Sequence, residues 1–282
     1  MSRHVLVLTA TGTTGRPTVD ALLRRGARVR AATRAPASAA LPSGVDVVRW
    51  DYDAPETWAP ALAGIEALYL ALPPFRADEA ALGAAIVTAA REAGVRRIVK
   101  LSAAGVEGNP ESGHRQVELA IEASGLAWVH LRPNFFFENF IEFYGEGVRA
   151  AGLIALPAGE GRTSFLGAAD IGEVAATALL GDRSGEAWTL TGDESLTHAE
   201  VAATLSEVLG REVRFVDVAP EAHVAAMRSW GMDEVAVGTM DALYGFVRNG
   251  WCGEVVPTLA AELGRPPRRF RAWAAERAEA WR

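Results

Sequence analysis

Lysine is all but missing from this chain of 282 residues: Lys100 is the only one, and the other non-histidine basic residues are all arginine. Alanine is abundant, and GC-rich coding bias accounts for both features, so Lys100 gains no role from its rarity alone. Cysteine is as scarce. Cys252 by itself permits neither a disulfide framework nor a thiolate metal cluster. The five histidines include no pair at metal-ligand spacing, so no metal is expected. Positive charge is short as well. The net charge of −7 argues against a nucleic-acid partner, which needs a basic face. No apolar run reaches membrane-spanning length, and the first residues lack a charged leader with a cleavage site. A soluble cytoplasmic protein that binds neither nucleic acid nor membrane is expected.

What is present is a repeated strand–helix pattern. "HVLVLTA" is a short buried-strand run. In "RPTVDALLRRG", Val19, Leu22 and Leu23 lie at helical spacing, Pro17 suits the first turn and Gly26 the stop. "RVRAATR", "VDVVRWD", "ALYLALPP", "RRIVKLSA" and "AWVHLRP" read as further strands. "PETWAPALAG", "DEAALGAAIVTAAREAG" and "HRQVELAIEASG" read as helices between them. Near-continuous apolar strands alternating with helices predict a doubly wound α/β fold of Rossmann type, with a parallel sheet covered on both faces. After residue 134 the pattern loosens. "DIGEVAATALLG" is a clear helix, "EAWTLTG" and "EVRFVDV" are strands, and Thr197 with Glu200 forms a capping box opening "HAEVAATLSEVLG". The expected division is 1–155 for the dinucleotide-binding domain and 156–282 for a smaller substrate lobe, with some elements returning to the first. That lobe is expected over the carboxyl edge of the sheet, where such folds bind ligands.

The stretch "VLVLTATGTTGRP", residues 5–17, has the strand–turn–helix context of a dinucleotide site. Gly12 lets the backbone approach a pyrophosphate, Gly15 lets helix and strand pack closely, and the helix start offers N–H groups and positive dipole. Thr9 stands where the turn glycine usually sits. If that position needs positive φ, threonine is strained there. The second strand ends "AATRAP", with Arg34 and no carboxylate where an NAD site would place one. A guanidinium binds a ribose 2′-phosphate that an acid would repel, so NADP(H) is the expected cofactor.

These residues resemble the NmrA-like branch of the atypical short-chain dehydrogenases/reductases. The likeness runs nearly end to end. Thr9–Gly15 stands in place of G-A-T-G-x-x-G. "ATR", "WDYDAPETWAPALAGIEALYLALPP", "GVRRIVKLSA", "LRPNFFFENF" and "GEAWTLTGDESLTHAEVAATLSEVLGREVRFV" are similar to that branch, nearest to NADPH:quinone reductases and bacterial relatives of ergot-alkaloid reductases. The resemblance implies cofactor contacts from Thr9, Thr11, Gly12, Thr13, Thr14, Gly15 and Arg34. It implies that Asp51 reaches the adenine amine and that Ala71, Leu72, Pro73 and Ser102 line the ribose and nicotinamide. It places Asn134 and Phe135 near nicotinamide and substrate.

Ordinary members of that superfamily use Tyr-x-x-x-Lys, the tyrosine giving a proton to the nascent alkoxide. Here the residue four before Lys100 is Arg96, so the pair is absent. The corresponding helix puts His114 and Glu118 at the same spacing on one face, with His114 a candidate proton donor and Tyr144 a second. A site without Tyr and Lys suits quinones, iminium ions or activated alkenes, whose reduction yields no strongly basic alkoxide. Phe135, Phe136, Phe137, Phe140, Phe143 and Tyr144 could form an apolar wall for a flat substrate, with core packing as the alternative use of those rings. The expectation is an NADPH-dependent reductase of a flat conjugated small molecule, with a setting in secondary metabolism and a homodimer left open. A redox-sensing regulator without turnover and a redox-neutral cyclase or isomerase are the alternatives. Cys252 is expected to be incidental, and the arginine-rich C-terminal stretch a solvated helix.

Overall fold

The computed structural model describes residues 3–282. The strands are β1 (His4–Val7), β2 (Arg28–Thr33), β3 (Asp46–Arg49), β4 (Ala67–Leu70), β5 (Arg97–Leu101), β6 (Ala127–Pro133), β7 (Leu153–Leu156), β8 (Arg162–Thr163), β9 (Glu186–Leu190), β10 (Leu196–Thr197) and β11 (Arg214–Asp217). The helices are α1 (Gly15–Arg24), α2 (Trp58–Leu62), α3 (Glu79–Glu92), α4 (Gly113–Glu122), α5 (Asn139–Glu142), α6 (Gly145–Ala151), α7 (Ala168–Leu180), α8 (His198–Leu209), α9 (Pro220–Ser229), α10 (Glu234–Arg248), α11 (Thr258–Leu263) and α12 (Phe270–Glu276).

Two compact units result. The first takes the chain through Pro133 and then Ala168–Leu190. It holds a seven-stranded sheet in the order β3-β2-β1-β4-β5-β6-β9, parallel throughout. Alternate residues of each strand serve opposite faces, as the two-residue period demands. Leu6, Leu8, Leu68, Leu70 and Ile98 join Trp58, Ile86, Val117 and Ile121 of α2, α3 and α4 in one core. Arg24 at the end of α1 and Arg25 just past it form ion pairs with Glu173 of α7. This is the doubly wound α/β arrangement expected from the alternating pattern.

The second unit comprises Asn134–Gly167 and Thr191–Arg282. Its short sheets pair β11 with β7 in parallel and β10 with β8 antiparallel. The capping box of α8 forms as expected: Thr197 Oγ1 accepts from Glu200 N, and the Glu200 carboxylate accepts from Thr197 N. Sequence pattern found β11 and missed β7, which is four residues long and flanked by Gly152 and Pro157. Among the described residues no helix is long and apolar enough to cross a membrane.

Candidate active site

The glycine loop begins where β1 ends. Thr9 has φ +50°, in the left-handed region that β-branched residues rarely enter. Its carbonyl accepts the Gly12 N–H at 2.8 Å, and its hydroxyl donates to the Leu8 carbonyl at 2.7 Å. A Cβ on Gly15 would lie 2.0 Å from that same Thr9 oxygen. The positive φ of Thr9 and the bareness of Gly15 are therefore one requirement, a chain folded back against its own helix start. Thr11 and Gly12 are exposed, Thr13 is half-buried, and Thr14 and Gly15 are buried. The first turn of α1 carries no acidic residue, and no side chain caps its Thr14 end, so the positive end of the dipole stays uncompensated.

Arg34, just past β2, is exposed and has no hydrogen-bond or ion-pair partner among the described residues. An unpaired guanidinium without a neighbouring carboxylate fits a 2′-phosphate. Asp51 accepts from Asp53 N at 3.2 Å and faces Arg49 at 3.5 Å, keeping its carboxylate at the sheet edge. The Ala71 carbonyl takes the Tyr52 hydroxyl at 2.7 Å, with Leu72 and Pro73 half-buried beyond it. Ser102 is buried after β5. It faces Glu118, but its Oγ makes no hydrogen bond of ordinary geometry.

His114 and Glu118 share α4 but go to different partners. Ser112 caps the helix, accepting from Arg115 N at 3.2 Å. His114, with its side chain 41% exposed, places Nδ1 2.5 Å from Glu79 Oε1 and 3.3 Å from Lys100 Nζ. Glu118 is fully buried, not solvated. Arg132 donates to both its oxygens, at 3.0 and 2.7 Å, and Arg115 to one at 2.9 Å. Burial alone would raise the Glu118 carboxyl, but these hydrogen bonds, led by Arg132, outweigh it and bring it down to about 2. His130, stacked on Trp128 and 3.3 Å from Glu122, is held neutral by burial, down to about 4. Glu118, Glu122 and His130 come close enough to be weighed as a metal set, yet Arg115 and Arg132 already hold those carboxylates.

Lys100 and Glu79 are the residues that sequence reasoning missed. Lys100 is 1% exposed, and burial pulls its amine down to about 8, with Glu79 and Glu118 opposing. Glu79 reaches His114 because residue 113 is glycine: a Cβ there would lie 2.6 Å from Glu79 Oε2. No local signal marked either residue, since the rarity of lysine reflects coding bias and the contact is made only by packing.

In the second unit, the Asn134 amide donates to Ser164 Oγ at 2.8 Å and to the Cys252 carbonyl at 2.7 Å. Its own oxygen accepts Phe135 N at 3.0 Å. The side chain is thus committed to bracing its loop. Phe137 and Phe140 are fully buried against Phe270, Trp273, Phe165 and His198, so these two rings serve as core and not as an apolar wall. Phe135 and Phe136 are half-buried, and Phe143 is exposed. The Tyr144 hydroxyl bonds to that of Tyr244, and burial pushes its pKa up to about 12, which makes it a poor proton donor. Burial likewise pushes the Cys252 thiol up to about 11, leaving no reactive thiolate.

The NmrA-like family matches residues 1–249. This chain belongs to that family. It is 33% identical over 290 residues to an NAD(P)H azoreductase of Xenophilus azovorans, covering 98% of this chain and 99% of the relative. Its fold is similar to that of the triphenylmethane reductase of a Citrobacter species, solved with NADP(H), at TM-score 0.80 and 25% identity over 98% of this chain and 99% of that one. It also matches an NADPH-dependent quinone oxidoreductase of Escherichia coli solved with NADPH, at TM-score 0.85 and 24% identity, covering 97% and 99%.

Proposed function

We propose that this chain is an NADP(H)-dependent reductase that acts on flat, conjugated small molecules of the quinone, azo or dye type. Arg34 carries the reading: an exposed guanidinium past β2 without a partner among the described residues, together with an α1 start free of acidic residues. That set suits a phosphorylated ribose and a pyrophosphate, held by Arg34 and by the loop from Thr9 to Gly15. The azoreductase and the triphenylmethane reductase, both matched over nearly the whole chain, support the substrate class. NADPH, when bound, supplies the hydride. The chain's own residues fix orientation and handle the proton. Without a Tyr-x-x-x-Lys pair, the part-exposed His114 at the start of α4 serves as the proton donor. Its acceptors are those whose reduced form is a delocalised, weakly basic anion.

The first test is calorimetric titration with NADPH and NADH. Arg34→Ala should weaken NADPH binding about tenfold to a hundredfold, the worth of a charge-assisted hydrogen bond, and leave NADH nearly unchanged. Equal losses for both would remove Arg34 from the 2′-phosphate. NADPH consumption is then followed across a benzoquinone, an azo dye and a triarylmethane dye. Tight cofactor binding without turnover of any of them would sink the reductase reading and favour a regulator.

A further inference from the structure

Two groups crowd His114 Nδ1, and only Lys100 has the geometry to hydrogen-bond to it. Glu79 Oε1 lies 2.5 Å from it but outside the direction of a hydrogen bond, and it accepts none. The Lys100 ammonium, at 3.3 Å, donates one if Nδ1 is bare. Lys100 has little else to serve. It is 1% exposed, and its other hydrogen-bond acceptor is the Leu101 carbonyl at 3.1 Å. The groups facing it are Glu79 from α3, His114 and Glu118 from α4, and His130 and Arg132 from β6. Glu118 is already committed to Arg132 and Arg115. His114 Nε2 has no partner among the described residues.

We propose that Lys100 is a positioning residue and proton reservoir for His114: it keeps hydrogen off Nδ1, so that Nε2 carries it outward, and replaces it when Nε2–H is given to the reduced substrate. The balance is simple. The hydride leaves the acceptor as an anion. That anion takes the hydrogen from Nε2, while Nδ1 takes one from the Lys100 ammonium. Lys100 becomes a neutral amine, and His114 stays neutral as the other tautomer, with the Glu79 carboxylate close to its Nδ1. One solvent proton resets the unit: it enters at Nε2, and the Nδ1 hydrogen returns to Lys100. The lowered basicity of the buried amine, about 8, makes that release accessible near neutral pH. An arginine in its place would keep its proton.

This inference rests on the reductase reading above, and the experiment separates the two. Nitrogen-15 shifts of the His114 ring report the tautomer without any turnover. They should show Nε2–H in the wild type and Nδ1–H in Lys100→Met. Nδ1–H in the wild type would overturn the proposal whatever the enzyme does. With a benzoquinone acceptor, wild-type turnover should fall as pH rises through about 8. Lys100→Arg should bind NADPH normally, lose that alkaline limb and turn over about tenfold to a hundredfold more slowly. In a His114→Ala background, Lys100→Met should cause no further loss. Additive losses, or an alkaline limb unchanged in Lys100→Arg, would reduce Lys100 to a structural role. Should both Lys100 variants fail to fold, Glu79→Gln serves instead: removing the carboxylate that supports the ammonium should move the limb to lower pH, and an unmoved limb would overturn the reservoir. A wild type that turns over no acceptor defeats the reductase reading itself, leaving the tautomer measurement to judge the Lys100–His114 pairing.

Discussion

Thr9 shows how a residue can carry local strain for the sake of a loop. Its left-handed backbone disfavours a β-branched side chain, while its hydroxyl recovers one bond to Leu8. Thr9→Gly should therefore stabilise the protein by about 0.5–1 kcal/mol, the relief of strain being partly offset by the added freedom of glycine in the unfolded chain. Urea denaturation measures it, and a loss of stability would mean that the Leu8 bond outweighs the strain. At this scale the sequence was legible where chemistry is carried by spacing. Gly12, Gly15 and Arg34 could be read because a turn and a strand end fix where they stand. Lys100 and Glu79 could not, because their meeting with His114 depends on packing between β5, α3 and α4. Glu79 lies 35 residues before His114, and no local pattern joins them. Phe137 and Phe140 were ambiguous for the opposite reason: an aromatic run looks the same whether it lines a cavity or fills a core.

Elements differ in how charge is built into them. The α4–β6 pairing encloses Glu118 between two guanidiniums. Glu118→Gln would leave Arg132 and Arg115 facing a neutral amide, with an expected loss of about 3–5 kcal/mol in chemical denaturation. A loss under about 1 kcal/mol would show that water reaches the site. The second unit instead buries an imidazole among aromatic rings. His198 of α8 is packed among Phe140, Phe165, Phe215 and Tyr244, and burial lowers it from 6.5 to about 4. The sign follows directly. Above pH 6.5 the ring is neutral folded or unfolded, and stability is unaffected. Below 6.5 the unfolded chain takes a proton that the fold refuses, so stability falls until about pH 4, by up to about 3 kcal/mol. His198→Phe should make thermal stability fall less steeply between those limits, with buried His130 still contributing, and an unchanged slope would move the effect to another group. Helices and long strands were legible from periodicity. The strand β7 was not, since four residues bounded by Gly152 and Pro157 carry too short a pattern to separate from a loop.

At the scale of the whole molecule, the chain does not finish its central sheet before leaving it. It departs after Pro133 and returns for α7 and β9. The buried Arg97 donates to the carbonyls of Ala178 and Arg183, at 3.3 and 2.6 Å, and Arg3 to that of Leu179 at 2.6 Å. A chain cut after residue 155 would lose α7, β9 and every one of those acceptors. It should show no cooperative thermal transition in circular dichroism, and a sharp transition would mean that six strands suffice. The alternation of strands and helices announced the fold class, but a strand arriving after a long excursion has no local mark of the sheet it joins.

The scarcity of lysine has an analytical use. Lys100 supplies the only side-chain amine in the molecule, and the folded first unit keeps it shielded. An acylating reagent will therefore find that amine only in molecules whose β5, α3 and α4 have come apart. The extent of labelling at residue 100, read by mass spectrometry, becomes a clock for opening events around β5, α3 and α4 in an unmodified protein, without an added dye or an engineered probe.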